Sequence, residues 1–292
     1  MATETTNLQR RIESGNAILV AEVSPPSSGD AAAVRKVVDC YAGKVHALGI
    51  SDNRDRVSMS ALAAASLVAG GGVEPILHVV TRDRNRIALV SECLGAQALG
   101  IRNILCTTGT HQTLGQFRAA RNVFDIDSIQ LLQAYAQLGE NGSIVGEQSI
   151  HSEGPLCLGG TAAPFADPLE LQLVRLAKKF AAGARFLITQ PIFDIDRFAA
   201  WWKEVTQRGI HERVAMIAGV RILTDAEEAK QYAEKRPLPM MPESVLQRVA
   251  SQSDKAAQRA AGIEIAVEMI GFACEEDVQA VELDIESAIR GS

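Results

Sequence analysis

Aromatic side chains make up only 4% of the sequence. A core must therefore be built from aliphatic and small residues, which argues against an aromatic-rich β-sandwich. The cysteines Cys40, Cys93, Cys106, Cys157 and Cys274 include no C-x-x-C pair. Their wide spacing excludes the common zinc and iron–sulfur motifs and reads as a reduced, cytoplasmic chain. Positive charge is not in surplus: 29 Lys and Arg stand against 35 Asp and Glu, a formal net charge of -6. A broad electrostatic footprint for nucleic acid is not expected from such a balance. Long apolar runs are missing too, since the most apolar stretch, Ala61 to Gly72, is too short and too rich in Gly and Ala to span a bilayer. The first residues lack the basic-then-apolar order of a signal peptide. G-x-x-x-x-G-K and a strand-to-helix G-x-G-x-x-G are absent, as are H-E-x-x-H and any Ser-His-Asp arrangement.

What is present is a rhythm. Hydrophobic residues are 47% and charged residues 22% of 292 positions, ample material for a core. Short apolar runs predict strands at Ala17–Val23, Val45–Ser51, Pro75–Val80, Asn103–Thr107, Pro155–Gly160, Arg185–Gln190, Val214–Val220 and Val278–Leu283. Runs such as Ile18-Leu19-Val20 are continuous, as in strands buried on both faces. Amphipathic stretches lie between them. After Arg84, for instance, Ile87, Leu89, Val90, Cys93 and Leu94 are expected on one helix face, and Thr224-Asp225-Ala226-Glu227 fits a capping box. About eight such units predict a single (β/α)8 barrel of the TIM type, one domain over residues 1–292. Extra helices precede the last strand, because Pro237 to Ala273 has room for two. A doubly wound open sheet is the structural alternative, since periodicity alone does not show closure.

In a barrel the chemistry sits at the carboxyl ends of the strands. Glu22 ends the first strand beside Val23 and Pro25-Pro26, where partial desolvation favours a protonated acid; a strand-end Glu paired with an Arg is an equal alternative. His78 ends the third strand and is as readily a packed core histidine. Arg82, Arg84 and Arg86 follow it and, with Arg118 and Arg121 on the next loop, either form a solvated helix start or attract an anionic ligand. Thr107-Thr108-Gly109-Thr110-His111-Gln112 opens a long loop that runs to Asp127 before a helix at Ser128. It reads as a polar turn or as a place where backbone approaches a ligand closely. Asp125 with Asp127 and Asp194 with Asp196 read as helix caps rather than a metal site. Gln190 ends the sixth strand as a neutral donor and acceptor.

Four stretches, in order, resemble the methylenetetrahydrofolate reductase family, nearest its short bacterial, acetogen-type branch. They are Glu22 with Pro25-Pro26, Arg82-Asp83-Arg84-Asn85-Arg86, Leu99-Gly100-Ile101-Arg102-Asn103, and Ala182-Gly183-Ala184 with Ile188-Thr189-Gln190-Pro191-Ile192-Phe193-Asp194. The resemblance covers nearly the whole chain and weakens after about Pro237. It implies a flavoprotein barrel, with FAD or alternatively FMN, that moves hydride between flavin N5 and 5,10-methylenetetrahydrofolate to give 5-methyltetrahydrofolate, or runs the reverse oxidation. On that likeness Glu22 matches the catalytic acid that protonates folate N10 as the ring opens to an iminium. Ser51, His78, Thr108, Gly109, Thr110, Thr161 and Lys179 match cofactor-contacting positions. Gln190 and Tyr232 match residues that contact folate and nicotinamide, Tyr232 replacing a stacking Phe.

Two departures stand out. Thr110 replaces the family's Asp, a position counted with the catalytic residues, which implies a raised flavin potential or a changed folate half-reaction. Val281-Glu282-Leu283-Asp284 replaces the expected last-strand pattern. The short branch implies an oligomer that takes electrons through a partner subunit, with direct NAD(P)H use left open. Competing readings are a folate-binding methyltransferase barrel without flavin, and a catalytically weakened structural subunit of a redox complex.

Overall fold

Eight parallel strands pair in sequence order and close on themselves. They are β1 (Ile18–Val23), β2 (Ala47–Ile50), β3 (Pro75–Val80), β4 (Asn103–Thr107), β5 (Cys157–Ala162), β6 (Phe186–Pro191), β7 (Ala215–Arg221) and β8 (Ala280–Asp284). The computed structural model describes residues 5–54, 56–115, 117–141, 150–234, 241–276, 278 and 280–284. Strands three and four fall on the expected residues, and every other bound lies within two residues of expectation. Pairing of β1 with β8, Glu22 opposite Asp284, completes the barrel and rules out the open sheet.

The helices are α1 (Asn7–Ser14), α2 (Ala31–Tyr41), α3 (Ala61–Gly70), α4 (Arg86–Ala98), α5 (Ser128–Asn141), α6 (Leu169–Ala181), α7 (Ile195–Gln207), α8 (Ala226–Glu234), α9 (Glu243–Ala250) and α10 (Lys255–Glu275). As expected, α9 and α10 are the extra pair before the last strand; residues 235–240, with Pro237, lie outside the described residues.

Alternation along each strand divides the core in two. Outward residues such as Leu48, Leu77, Ile104 and Leu187 pack against Val38, Val68, Leu89 and Trp201 of the surrounding helices. Inward residues, Val20, Ala47, Ile76, Leu105, Phe186, Ile188 and Ile217 among them, fill the lower barrel. Gly159 makes room there, since a Cβ on it would stand 2.2 Å from the Phe186 ring. Helix α1 closes this end: Thr6 caps it, Glu74 accepts from the Asn7 and Leu8 amides at 2.7 and 2.8 Å, and Leu8 is fully buried. Burial of that one side chain contributes about 2 kcal/mol, and the carboxylate at the helix N-terminus adds to it. Followed upward, the same inward faces change from apolar to polar: Ile18, Val20 and then Glu22; Ala47, Gly49 and then Ser51; Ala280, Glu282 and then Asp284.

Two local expectations are corrected. Ile87 is 73% exposed, and α4 instead buries Leu89, Cys93 and Ala96. Ile87, Val90 and Leu94 form a neighbouring stripe, and packing against the sheet selects the other one. The capping box lies one residue later, because Asp225 accepts from the Glu228 amide at 2.8 Å and α8 begins at Ala226. The carboxylate of Glu228 is drawn mainly to Arg221, at 2.6 Å.

Candidate active site

A cavity of about 370 Å³ opens at the carboxyl ends of the strands, and it is lined by the ten residues that the family resemblance matches to site positions: Glu22, Ser51, His78, Thr108, Gly109, Thr110, Thr161, Lys179, Gln190 and Tyr232. Glu22 is 8% exposed. It accepts a charge-assisted hydrogen bond from Arg54 at 2.8 Å, and the same Arg54 nitrogen donates to Asp284 at 3.0 Å. Both readings of Glu22 therefore meet in one residue, a strand-end acid paired with an arginine and also set in the cavity floor. His78 Nδ1 lies 3.9 Å from Glu22 Oε1. Burial, and secondarily the Arg54 charge, lowers the His78 pKa to about 3, so the imidazole is neutral at pH 7.

Along the rim the roles diverge. Ser51 shares a 2.7 Å hydrogen bond with Ser24. The Thr108 hydroxyl accepts from the Ser128 amide at 3.1 Å, so it helps to start α5. Gly109 sits at φ 82°, where a Cβ would press to 2.6 Å from Val80, and only glycine fits both demands. The Thr110 carbonyl accepts from Arg82 at 3.0 Å while the residue itself is exposed. Lys179, buried on α6, donates to the Thr161 carbonyl. Burial, with Arg175 nearby, lowers its pKa to about 8. Gln190 Oε1 is buried with no hydrogen-bond partner among the described residues. The Tyr232 ring lies 4.5 Å from the Arg221 guanidinium and meets Phe193 edge-on at 6.0 Å.

The arginine run after β3 does not present a free cationic patch. Arg82, 4% exposed, binds Asp83 and reaches the carbonyls of Asn53 at 2.8 Å and Thr110 at 3.0 Å, so it bolts two loops together. Arg84 grips both oxygens of buried Asp52 at 2.6 and 3.2 Å, and Arg86 binds Asp125 at 2.9 and 3.0 Å. The aspartate pairs act locally: Asp127 accepts from the Ile129 and Gln130 amides, and Asp194 caps α7.

Sequence reasoning missed Asp52, Arg54, Arg221, Glu282 and Asp284. Asp284 joins Arg54 to Arg221, which it accepts from at 2.5 Å. The available signal was the alternation of acids in Val281-Glu282-Leu283-Asp284, which puts both carboxylates on the inward face of the last strand. The assembled floor holds one tight ion-pair network beside a neutral imidazole, an arrangement suited to holding and moving a proton.

Fold and cavity together define a parallel β/α-barrel protein with a cavity at the carboxyl ends of the strands. A family model described as methylenetetrahydrofolate reductase matches residues 7–284, and the chain belongs to that family. A curated Caenorhabditis elegans protein called "Probable methylenetetrahydrofolate reductase (NADPH)" is 25% identical over 223 residues, 74% of this chain and 31% of that protein. The chain thus spans about a third of that relative's length. Among solved structures, an uncharacterised Clostridium thermocellum protein that binds two copies of 5-methyl-5,6,7,8-tetrahydrofolic acid superposes with a TM-score of 0.66 at 11% identity, covering 98% of this chain and 95% of that one. A 2,3-dimethylmalate lyase of the PEP mutase/isocitrate lyase superfamily gives a TM-score of 0.52 at 11% identity, covering 99% of this chain and 83% of that one. At such identities the structural likenesses speak for the barrel alone. No described helix is long and apolar enough to cross a membrane.

Proposed function

We propose that the chain interconverts 5,10-methylenetetrahydrofolate and 5-methyltetrahydrofolate as a flavin-dependent oxidoreductase, with Glu22 as the general acid. The observation that carries the reading is the convergence of Glu22, His78, Gly109, Lys179, Gln190 and Tyr232, drawn from distant parts of the chain, on one cavity. Family membership supplies the substrate class, and a barrel of the same fold binds 5-methyltetrahydrofolic acid.

The residues fit a flavin. His78 Nε2 and Gln190 Oε1 are buried polar atoms with no partner among the described residues, and Gly109 turns the backbone where a side chain would strike Val80. His78, Thr108, Gly109, Thr110, Thr161 and Lys179 would hold the cofactor, with Ser51 at its edge. When bound, the flavin supplies hydride for the one-carbon unit. Glu22 holds the proton that folate N10 takes as the ring opens, and Arg54 fixes that carboxyl in place. Gln190 orients the pterin through its amide, and the Tyr232 ring offers an aromatic surface beside it. The buried floor keeps water from the electrophilic carbon.

The finer reading treats residues 1–292 as a single barrel domain of the short, acetogen-type branch. It works in the cytoplasm as an oligomer and holds FAD, FMN being the alternative. A partner subunit supplies electrons, with NAD(P)H as the competing donor. Anaerobic visible spectroscopy of the purified protein tests this. A yellow chromophore that bleaches on addition of 5-methyltetrahydrofolate is the expected result. A protein that stays colourless after flavin is added and the excess removed overturns it in favour of a flavin-free methyltransferase barrel.

A further inference from the structure

The barrel holds a second acid beneath Glu22. Glu282 lies on the inward face of β8 at the register of Val20, one step below the Glu22–Asp284 pair. It is 4% exposed, and its Oε1 makes no hydrogen bond among the described residues. His78 Nε2 is likewise buried without a partner. Both atoms converge over Gly49, where a Cβ would stand 3.2 Å from Glu282 Oε1, 3.1 Å from His78 Nε2 and 3.6 Å from the Glu22 backbone. Two side chains and the Glu22 backbone border the space this glycine leaves open.

A bare carboxylate in that position is costly. The groups facing Glu282 are Glu22 from β1, Arg54 from the loop after β2, His78 from β3 and Asp284 on its own strand, while Arg221 at the end of β7 stands opposite Asp284. The two guanidiniums are engaged by Glu22, Asp284 and Glu228, so acids outnumber cations across this floor. One acid that keeps its proton relieves the excess. Burial, and then the charges of Glu22 and Asp284, push the Glu282 pKa well above the usual carboxylate range, and Arg54 offsets only part of this.

We infer that Glu22 and Glu282 form a proton-sharing carboxyl pair in which Glu282 holds the proton at rest and resupplies Glu22. In the forward reaction the Glu282 O–H bond breaks as a Glu22 O–H bond forms, and Glu22 passes that proton to folate N10, its own O–H bond breaking as the N10–H bond forms. Both carboxyls are then ionised. The path crosses Gly49 alongside the His78 imidazole, whose Nδ1 faces Glu22. As product leaves and water enters, solvent returns one proton to Glu282, so each turnover consumes a single proton. No oxidant or reductant is involved in the relay.

The resupply of substrate rests on the reading of Glu22 as the acid, but the proton-sharing does not, and the test separates them. Infrared difference spectroscopy of the ligand-free protein across pH reads the carbonyl stretch of a buried protonated carboxyl. The wild type is expected to show that band at pH 7. Glu282→Gln should abolish it. Glu22→Gln should keep it but make it titrate away at a proton concentration at least about tenfold higher, a shift of roughly one pH unit. A band missing from the wild type, unchanged in Glu282→Gln, or titrating identically in Glu22→Gln overturns the pair. If Glu282→Gln does not fold, the Glu22→Gln titration alone decides. In 5,10-methylenetetrahydrofolate reduction, Glu282→Gln should move the basic limb of the kcat/KM profile down by about one pH unit. An unmoved limb in an active variant overturns the resupply. A wild type that never reacts with the folate overturns the functional reading and leaves the infrared result standing.

Discussion

Gly49→Ala is the smallest change that tests the geometry of the cavity floor. The added methyl would lie 3.1 Å from His78 Nε2 and 3.2 Å from Glu282 Oε1, with the Glu22 Cα at 3.6 Å. The first two contacts are short by a few tenths of an ångström, and neither partner yields freely. His78 is 6% and Glu282 4% exposed, each walled in by the barrel. Overpacking of this kind costs about 1–3 kcal/mol. For a barrel of this size each kcal/mol moves Tm by roughly 2–4 °C, so a fall of about 2–12 °C is expected in differential scanning calorimetry. Gly271→Ala provides the control. That glycine lies inside α10 at an ordinary helical φ, with nothing within 4 Å of the new Cβ. The same chemical change there should raise stability by about 0.5–1 kcal/mol. The pair must move in opposite directions. If Gly49→Ala matches the wild type in Tm while retaining full affinity for flavin and folate, the floor is looser than the distances say and the packing argument fails.

Three further outcomes follow from the same geometry. The folded-state pKa of His78 is depressed from 6.5 to about 3, so its stabilising contribution is intact above about pH 6.5 and drains away as pH falls toward 3. Stability should fall by up to about 1.4 kcal/mol per pH unit in that window, and a Tm-versus-pH series in which His78→Gln shows the same slope as wild type would contradict it. Asp52→Ala leaves Arg84 and the Val80 amide without their buried acceptor; with Glu92 still 3.7 Å from Arg84 as partial compensation, a loss of about 2–4 kcal/mol in denaturant unfolding is expected, and a loss under 1 kcal/mol would refute it. Thr110→Asp adds a carboxylate at an exposed rim position, worth about 0.5–1 kcal/mol in such a place. That corresponds to roughly 10–20 mV lower potential for a bound two-electron flavin, and an unchanged potential in spectroelectrochemical titration would show that Thr110 does not set it.

Most of the fold was readable because parallel strands buried on both faces leave continuous apolar runs. Pro75–Val80 and Asn103–Thr107 could be bounded to the residue, because Pro75 opens one and polar residues bracket the other. Where the reading slipped, two local signals competed. On α4 two apolar stripes run side by side, and only contact with the sheet decides that Leu89 and Cys93 go inward while Ile87 faces water. At α8 both Thr224 and Asp225 are good caps. Arg221 then draws Glu228 toward it, at 2.6 Å, and Asp225 takes the amide.

The site was legible one residue at a time but not as a circuit. Glu22, Ser51 and Gln190 could be named because alternation carries an inward face up to the strand end, where a polar residue has no role in the apolar core. Their electrostatic partners follow no such rule. Arg54 and Asp284 are 230 residues apart, and Arg221 and Asp284 are 63 apart. They meet only because β8 returns to β1 and sets Glu22 opposite Asp284. Before closure the last strand, Val281-Glu282-Leu283-Asp284, reads only as a departure from the expected pattern. After closure the upper acid locks two arginines in place, and the lower one lies beneath Glu22, forming no ion pair among the described residues. The charge on Glu22 therefore depends on a strand that no local pattern connects to it, and whether barrel closure sets that charge is what the Glu282→Gln and Glu22→Gln titrations measure.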